Sequence, residues 1–192
     1  MQKPQKAEAS DKTLPQQRSF SPASLAKGRP ALTDVAAWRE KLSSLTSKAD
    51  VQAGRRIFFS EKVGNCARCH RYQGRGNIVG PDLSVVGARD DKEWLLRSIL
   101  EPNRDLSPQY RPWLVELEDG TQFTGFPLRN GGSTGKEFYR DANGQEKGLL
   151  KKAIVSRREL KTSIMPSALV HAMTDRELRD LLAFLESDGE KD

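Results

Sequence analysis

The chain has 192 residues, of which 36% are hydrophobic and 30% are charged, and its formal net charge is +6. This length can bury one core with a small appended lobe, and no run of about 18 apolar residues is present, so we expect no membrane span. The basic residues are spread along the chain without a nucleic-acid motif, so the charge does not indicate nucleic acid; an anionic partner and a solvated surface both explain it.

The chain begins with a polar segment. Residues 1–32 are rich in Gln, Lys, Ser and Pro, which predicts a disordered tail or interdomain linker. Residues 1–12 are polar throughout, so no signal peptide is expected within this sequence. We predict one domain over residues 33–186 and a short C-terminal tail at residues 187–192.

Two helices are predicted next. Thr33 or Asp34 is suited to cap a helix that runs to about Ser47, and residues 50–59 form a second helical segment. Gly54 lies in the second segment. It is either a tolerated helix glycine or a position that another helix approaches closely, because a missing side chain permits such an approach.

Residues 66–70 read Cys-Ala-Arg-Cys-His and contain both cysteines of the chain. Two cysteines at this spacing, followed directly by histidine, are the attachment signature of a c-type haem. The thiols then lie about a helical turn apart and reach the two vinyl edges of one porphyrin, while the next residue supplies the proximal imidazole. The predicted cofactor is one haem c, bound covalently through Cys66 and Cys69, with His70 as an iron ligand.

Two other uses of these cysteines fit the sequence less well. A thioredoxin-like redox pair requires a strand-to-helix context, and none precedes Cys66. A zinc site requires four ligands, whereas the other candidates are His70, which is adjacent to Cys69, and the distant His171. Haem attachment is therefore favoured over thiol redox chemistry and zinc binding.

Residues 110–155 have the pattern of a small β-rich insertion. Alternating residues at 113–118 are followed by an Asp-Gly turn at 119–120 and by a returning segment at 121–126. A second turn is predicted at Asn143-Gly144. We expect three to five short antiparallel strands, which would act as a structural flap over the haem edge or as a docking element for a partner, with the flap slightly favoured.

Met165 is the candidate sixth ligand of the iron. It precedes Pro166, which disfavours helix at the preceding residue and holds an extended presentation. A thioether is a soft ligand that favours ferrous iron and raises the reduction potential. His171 and Met173 are the alternatives, but both lie close to the last predicted helix.

The last helix is predicted from a capping box at residues 174–177 and a leucine stripe that ends at Leu185. A last helix that crosses the first, with the haem motif just after the first, resembles class I cytochromes c. The chain is more closely similar to a bacterial cytochrome-c-like haem-binding domain found at the C-terminus of large exported dehydrogenase-like proteins. The resemblance covers about residues 34–186 and is carried by residues 54–59, 66–70, 80–83, 95–102, 110, 119–120, 125, 165–166 and 177–185.

The resemblance implies a mainly α, class I cytochrome c fold with a small antiparallel β-element inserted before the distal methionine loop. It also implies that the Pro81 carbonyl accepts a hydrogen bond from Nδ1–H of His70 and that Leu83 presses on the haem face. Arg89 is the candidate donor to a haem propionate, with Arg75 second. At Ala168 such domains usually carry glycine, so the local backbone after Met165 can differ.

The predicted function is one-electron transfer by a single haem, so the protein is expected not to be an enzyme. The expected partner is a redox protein or an upstream dehydrogenase domain, with an acidic docking face. A peroxidase-like haem enzyme or gas sensor with a displaceable distal ligand is the alternative, and a purely structural haem is a third. Because a c-type haem is attached after export, a periplasmic or otherwise exported location is expected.

Overall fold

A computed structural model describes residues 26–88 and 92–187. Asp34 caps the first helix by accepting a hydrogen bond from the Ala37 amide at 3.0 Å, and this helix ends at Ser43 rather than near Ser47. Asp50 caps the second by accepting from the Ala53 amide at 2.9 Å. Four α-helices lie wholly within the described residues: α1 (Val35–Ser43), α2 (Val51–Phe59), α3 (Lys92–Leu100) and α4 (Asp175–Glu186).

Helices α2 and α4 cross at Gly54. A Cβ atom built on Gly54 would overlap the Asp180 carbonyl oxygen and would lie 2.7 Å from Cβ of Phe184. The glycine therefore permits the backbones of the two helices to approach closely, and the predicted close approach is confirmed.

Helix α4 begins with the predicted capping box. The Thr174 hydroxyl accepts a hydrogen bond from the Glu177 amide at 3.2 Å, and the Glu177 carboxylate accepts one from the Thr174 amide at 2.8 Å. Its apolar face joins a cluster of aromatic rings, in which Phe184 lies 4.5 Å from Tyr72 and 5.7 Å from Phe58 between ring centroids. This cluster forms the centre of the helical core.

The start of α2 is tied to α4 by polar contacts. The buried Asp180 carboxylate accepts a hydrogen bond from the Asp50 amide at 3.0 Å. Arg179 donates to the carbonyl oxygens of Ser47 and Lys48. The loop between α1 and α2 is thus fixed to the last helix, and the haem motif that follows α2 begins from a rigid position.

Seven strands are described, in two antiparallel sheets. The strands are β1 (Arg71–Tyr72), β2 (Arg75–Gly76), β3 (Trp113–Leu117), β4 (Gln122–Asn130), β5 (Lys136–Arg140), β6 (Glu146–Leu150) and β7 (Ile154–Glu159). The five-stranded sheet has the order β6-β5-β4-β3-β7, so the last strand returns across the sheet to pair with β3. The Asp-Gly turn at residues 119–120 connects β3 to β4, and Gly120 adopts a positive φ of 78°.

The expectation of a mainly α fold is wrong, because the described chain is a mixed fold of helices and a five-stranded antiparallel sheet. The larger sheet spans residues 113–159 and buries a cluster of its own, separate from the helical core. Buried and exposed residues alternate over the first four residues of β4, so that one face of the sheet is turned towards this second core. The cluster consists of Val115, Phe123, Tyr139 and Leu149.

Part of the segment expected to be a tail makes specific contacts. The side chain of Arg29 is 4% exposed and donates hydrogen bonds to the carbonyl oxygens of Val170 at 2.8 Å and Met173 at 2.6 Å. It also forms an ion pair with Asp175 at 2.8 Å. Arg29 therefore joins the N-terminal segment to the start of α4. No helix in the described part of the chain is long and apolar enough to cross a membrane.

Candidate haem site

The Cys-Ala-Arg-Cys-His motif begins with a short 3-10 turn, Cys66–Arg68, which follows α2 along the chain. The His70 amide donates a hydrogen bond to the Cys66 carbonyl at 2.9 Å. The chain then folds back, because the Gly80 amide donates to the Cys69 carbonyl at 2.7 Å and the Asn77 amide to the Ala67 carbonyl at 3.0 Å. These backbone hydrogen bonds hold both cysteines and His70 against the loop that contains Pro81.

The His70 ring is fixed by two neighbours. Nδ1 lies 2.9 Å from the Pro81 carbonyl oxygen, so a proton on Nδ1 is donated to that oxygen and Nε2 is left with a free lone pair. A Cβ atom on Gly80 would lie 2.6 Å from Cε1 of this ring, so the imidazole packs directly on the glycine backbone. Burial lowers the pKa of His70, although the hydrogen bond to Pro81 acts to raise it. The ring is therefore oriented by its neighbours, and burial favours the neutral form that a metal ligand requires.

The two thiols are poorly suited to free thiol chemistry. Burial raises the pKa of Cys66 to about 12 and also raises the pKa of Cys69. Redox-active cysteines need a lowered pKa, because the thiolate is the reactive form. The described residues contain no cluster of three or more His, Cys, Asp or Glu side chains that could hold a metal ion, so the structure offers no set of ligands for zinc.

One cavity of about 640 Å³ brings the predicted site residues together. Cys66, Cys69, His70 and Met165 all line it, although they come from two distant parts of the sequence. Pro81 and Leu83 line it as well, together with apolar residues of α3 and α4. The apolar wall residues are Phe58, Val79, Trp94, Leu95, Ile99, Leu106, Phe126, Ile164, Leu169, Leu181 and Leu185.

The residues present fit a haem. The cavity has the size and the mostly apolar wall that are typical of cofactor sites. It presents two thiols and two side chains of the types that ligate haem iron, the imidazole of His70 and the thioether of Met165. His171 and Met173, the alternatives for the sixth ligand, are not among its lining residues, and Met173 is fully buried in the helical core.

The inserted sheet forms part of the cavity wall through Phe126 and Ala142. Its β5–β6 turn contacts the motif, since Arg68 donates to Oδ1 of Asn143 at 3.1 Å and Asn77 donates to the Asn143 carbonyl at 3.0 Å. The sheet is thus fixed to the loop that carries the motif, and the choice between a flap and a docking element stays a prediction. The contacting side chains were not predicted, because the sequence pattern shows only that a turn forms at Asn143.

Of the two candidate propionate donors, Arg75 lies within the described residues. Arg89 lies outside the described residues. The exposed side chain of Arg75 lies over the Phe59 ring, 4.6 Å from its centroid, and does not line the cavity. The polar side chains of Gln109 and Tyr110 do line it and were not singled out as site residues, because nothing in the sequence near them indicates chemistry.

Comparison with known families gives a match over the middle of the chain. The model of the cytochrome c family matches residues 51–113. This stretch of the chain is therefore similar to cytochrome c domains. The matched stretch includes α2, the haem motif and α3, and it ends at the first residue of the five-stranded sheet. Comparison with curated proteins gave no match.

Gly80→Ala is expected to lower the free energy of unfolding by about 1–3 kcal/mol, because the new Cβ would displace the His70 ring. Urea denaturation measures this loss, and NMR of the Nδ1 proton reports whether its hydrogen bond to Pro81 survives. Gly148→Ala is the matched control, in an exposed strand position where Cβ would lie 3.0 Å from a Phe138 ring atom. An equal loss in both variants would contradict a special role for Gly80.

Proposed function

We propose that the protein is a single-haem c-type cytochrome that carries out one-electron transfer. One observation carries this proposal: the same apolar cavity is lined by both cysteines, His70 and Met165. The cytochrome c match over residues 51–113 supports a haem-based electron-transfer role. When bound, the haem supplies the one-electron iron couple.

Cys66 and Cys69 are proposed to hold the haem through two thioether bonds, and His70 is proposed to bind the iron through Nε2. The hydrogen bond from Nδ1 to Pro81 supports this role, because it fixes the tautomer and the ring orientation and raises the basicity of the ligand nitrogen. Leu83 contributes apolar surface to the same cavity and is proposed to pack against the haem face.

Met165 is the proposed sixth ligand. Its place in the cavity wall supports this assignment, and so does Pro166, which restricts the backbone of the residue before it. With His70 and Met165 both bound, no coordination position is left open for a substrate. Around a bound haem, the apolar wall would disfavour the charged ferric form and so would act together with the thioether to raise the reduction potential.

The electron partner is proposed to be a redox protein or an upstream dehydrogenase domain that presents an acidic surface. The net charge of +6 supports an acidic partner, because opposite charges accelerate encounter. Covalent attachment of haem supports a periplasmic or otherwise exported location, since this attachment follows export.

The Met165→Ala variant tests the ligand assignment. We expect the ferric protein to lose the long-wavelength methionine-to-iron band and the reduction potential to fall, because a soft ligand that favours ferrous iron is removed. Absorption spectra of the oxidised and reduced holoprotein, with a redox titration, measure both changes.

Met173→Leu is the matched control, because it removes a buried thioether outside the cavity and nearly conserves volume. An unchanged spectrum and potential in Met165→Ala would refute Met165 as the ligand. A wild-type protein that is high-spin and binds carbon monoxide or peroxide would instead favour the sensor or peroxidase-like alternative.

A further inference from the structure

The side chain of Asn103 contacts the Met165 loop on both sides of the methionine. Its Oδ1 accepts a hydrogen bond from the Ser163 amide at 2.6 Å, and its Nδ2 donates to the Ser167 hydroxyl at 3.4 Å. Ser163 and Ser167 are two residues before and two residues after Met165. One amide side chain therefore spans the five-residue segment that has Met165 at its centre.

A third hydrogen bond extends this arrangement to the methionine itself. The Met165 amide donates to the Ser163 hydroxyl at 3.1 Å, so the residue that Asn103 holds also fixes the backbone of Met165. Residues 161–168 contain no helix or strand, so no regular backbone hydrogen bonding holds this segment in place. The loop is thus positioned by specific polar contacts rather than by secondary structure.

Asn103 also connects this loop to the cavity wall. Asn103 lies three residues after the end of α3. Both this helix and the short segment that leads to Asn103 line the cavity, through Trp94, Ser98, Ile99, Glu101 and Pro102. The wall and the loop are therefore joined by one side chain at the rim. Asn103 does not itself line the cavity, so a change at Asn103 alters the freedom of the loop while the lining side chains keep their identity.

We propose that Asn103 is a positioning residue that keeps the Met165 loop closed, so that an external ligand must displace a held methionine to reach the iron. The inference rests on the proposed ligation by Met165. Without the hydrogen bond that Asn103 accepts from Ser163 and the one that it donates to Ser167, the loop opens more often and the population of protein with a free distal position rises. An external ligand then binds more tightly although no atom of the site has changed.

The test measures imidazole binding to the ferric holoprotein by absorption spectroscopy. We expect Asn103→Ala to bind imidazole about tenfold more tightly than wild type, a factor that corresponds to about 1.4 kcal/mol. Asn103→Asp keeps an acceptor for the Ser163 amide and is expected to restore most of the wild-type affinity. Hydrogen exchange over residues 161–168 provides a second readout, in which Asn103→Ala shows faster exchange in that segment alone.

Asn130→Ala is the matched control, because Asn130 is also exposed and accepts a hydrogen bond from a nearby amide, that of Gly132 at 3.4 Å, but lies in the sheet. It is expected to leave imidazole affinity unchanged. If Asn103→Ala fails to take up haem, Asn103→Gln replaces it, since that variant keeps the amide and displaces it by one methylene.

Failure of this inference is distinguishable from failure of the proposed function. If Met165→Ala binds imidazole much more tightly than wild type while Asn103→Ala equals wild type, the ligand assignment stands and the role of Asn103 is overturned. If Met165→Ala itself binds imidazole as wild type does, the proposed ligation fails and the inference fails with it.

Discussion

Replacing Gly54 with alanine is expected to destabilise the protein by about 3 kcal/mol, a large share of the total of about 5–15 kcal/mol for a typical domain. The new Cβ would overlap the Asp180 carbonyl oxygen and press on Cβ of Phe184, so α2 and α4 would have to move apart. Backbone atoms at a helix crossing cannot rotate away as a flexible side chain can. The separation would also loosen the aromatic cluster of Phe58, Tyr72 and Phe184.

The sign of this effect separates packing from helix propensity. At an exposed helix position, Gly→Ala stabilises by about 0.5–1 kcal/mol, so propensity alone predicts a gain. Gln52→Ala, on the exposed side of the same helix, is the matched control and is expected to change stability little. Urea denaturation of both variants measures the difference. A neutral or stabilised Gly54→Ala protein would show that the helices do not need the glycine.

The elements that were predicted correctly depend on local patterns. The capping box at Thr174 and Glu177 and the Asp-Gly turn at residues 119–120 each lie within a few residues, so the interactions that stabilise them are local in sequence. A close helix approach was one of the two roles predicted for Gly54, because a missing side chain inside an amphipathic helix leaves room for a second backbone.

The features that were missed depend on contacts between residues that are far apart in sequence. Arg29 holds the carbonyl oxygens of Val170 and Met173, and Asn103 holds Ser163. A contact between an arginine or asparagine side chain and a backbone group produces no periodic pattern in the sequence, because every residue has a backbone and any residue can be the partner. The fold class was wrong for a related reason, since only the packing of Val115, Phe123, Tyr139 and Leu149 shows that the sheet has a core of its own.

The double variant Cys66→Ala with Cys69→Ala is expected to lose all covalently bound haem. The two thiols line the same cavity as His70 and are the only cysteines of the chain, so no other residue can form a thioether in their place. Burial raises the pKa of both thiols, that of Cys66 to about 12, and so favours their protonated form. Haem staining after denaturing electrophoresis measures the loss directly.

The single variants and a control make this result specific to the thiols. Each single variant is expected to keep one thioether and to retain stain, and the reduced band of the pyridine adduct distinguishes two, one and no thioether bonds. Ser98→Ala, which removes a polar atom from the same cavity, is expected to retain both bonds. Because His70 and Met165 are intact in the double variant, haem that it binds only through the iron is released on denaturation. Stain that persists in the double variant would refute attachment at Cys66 and Cys69.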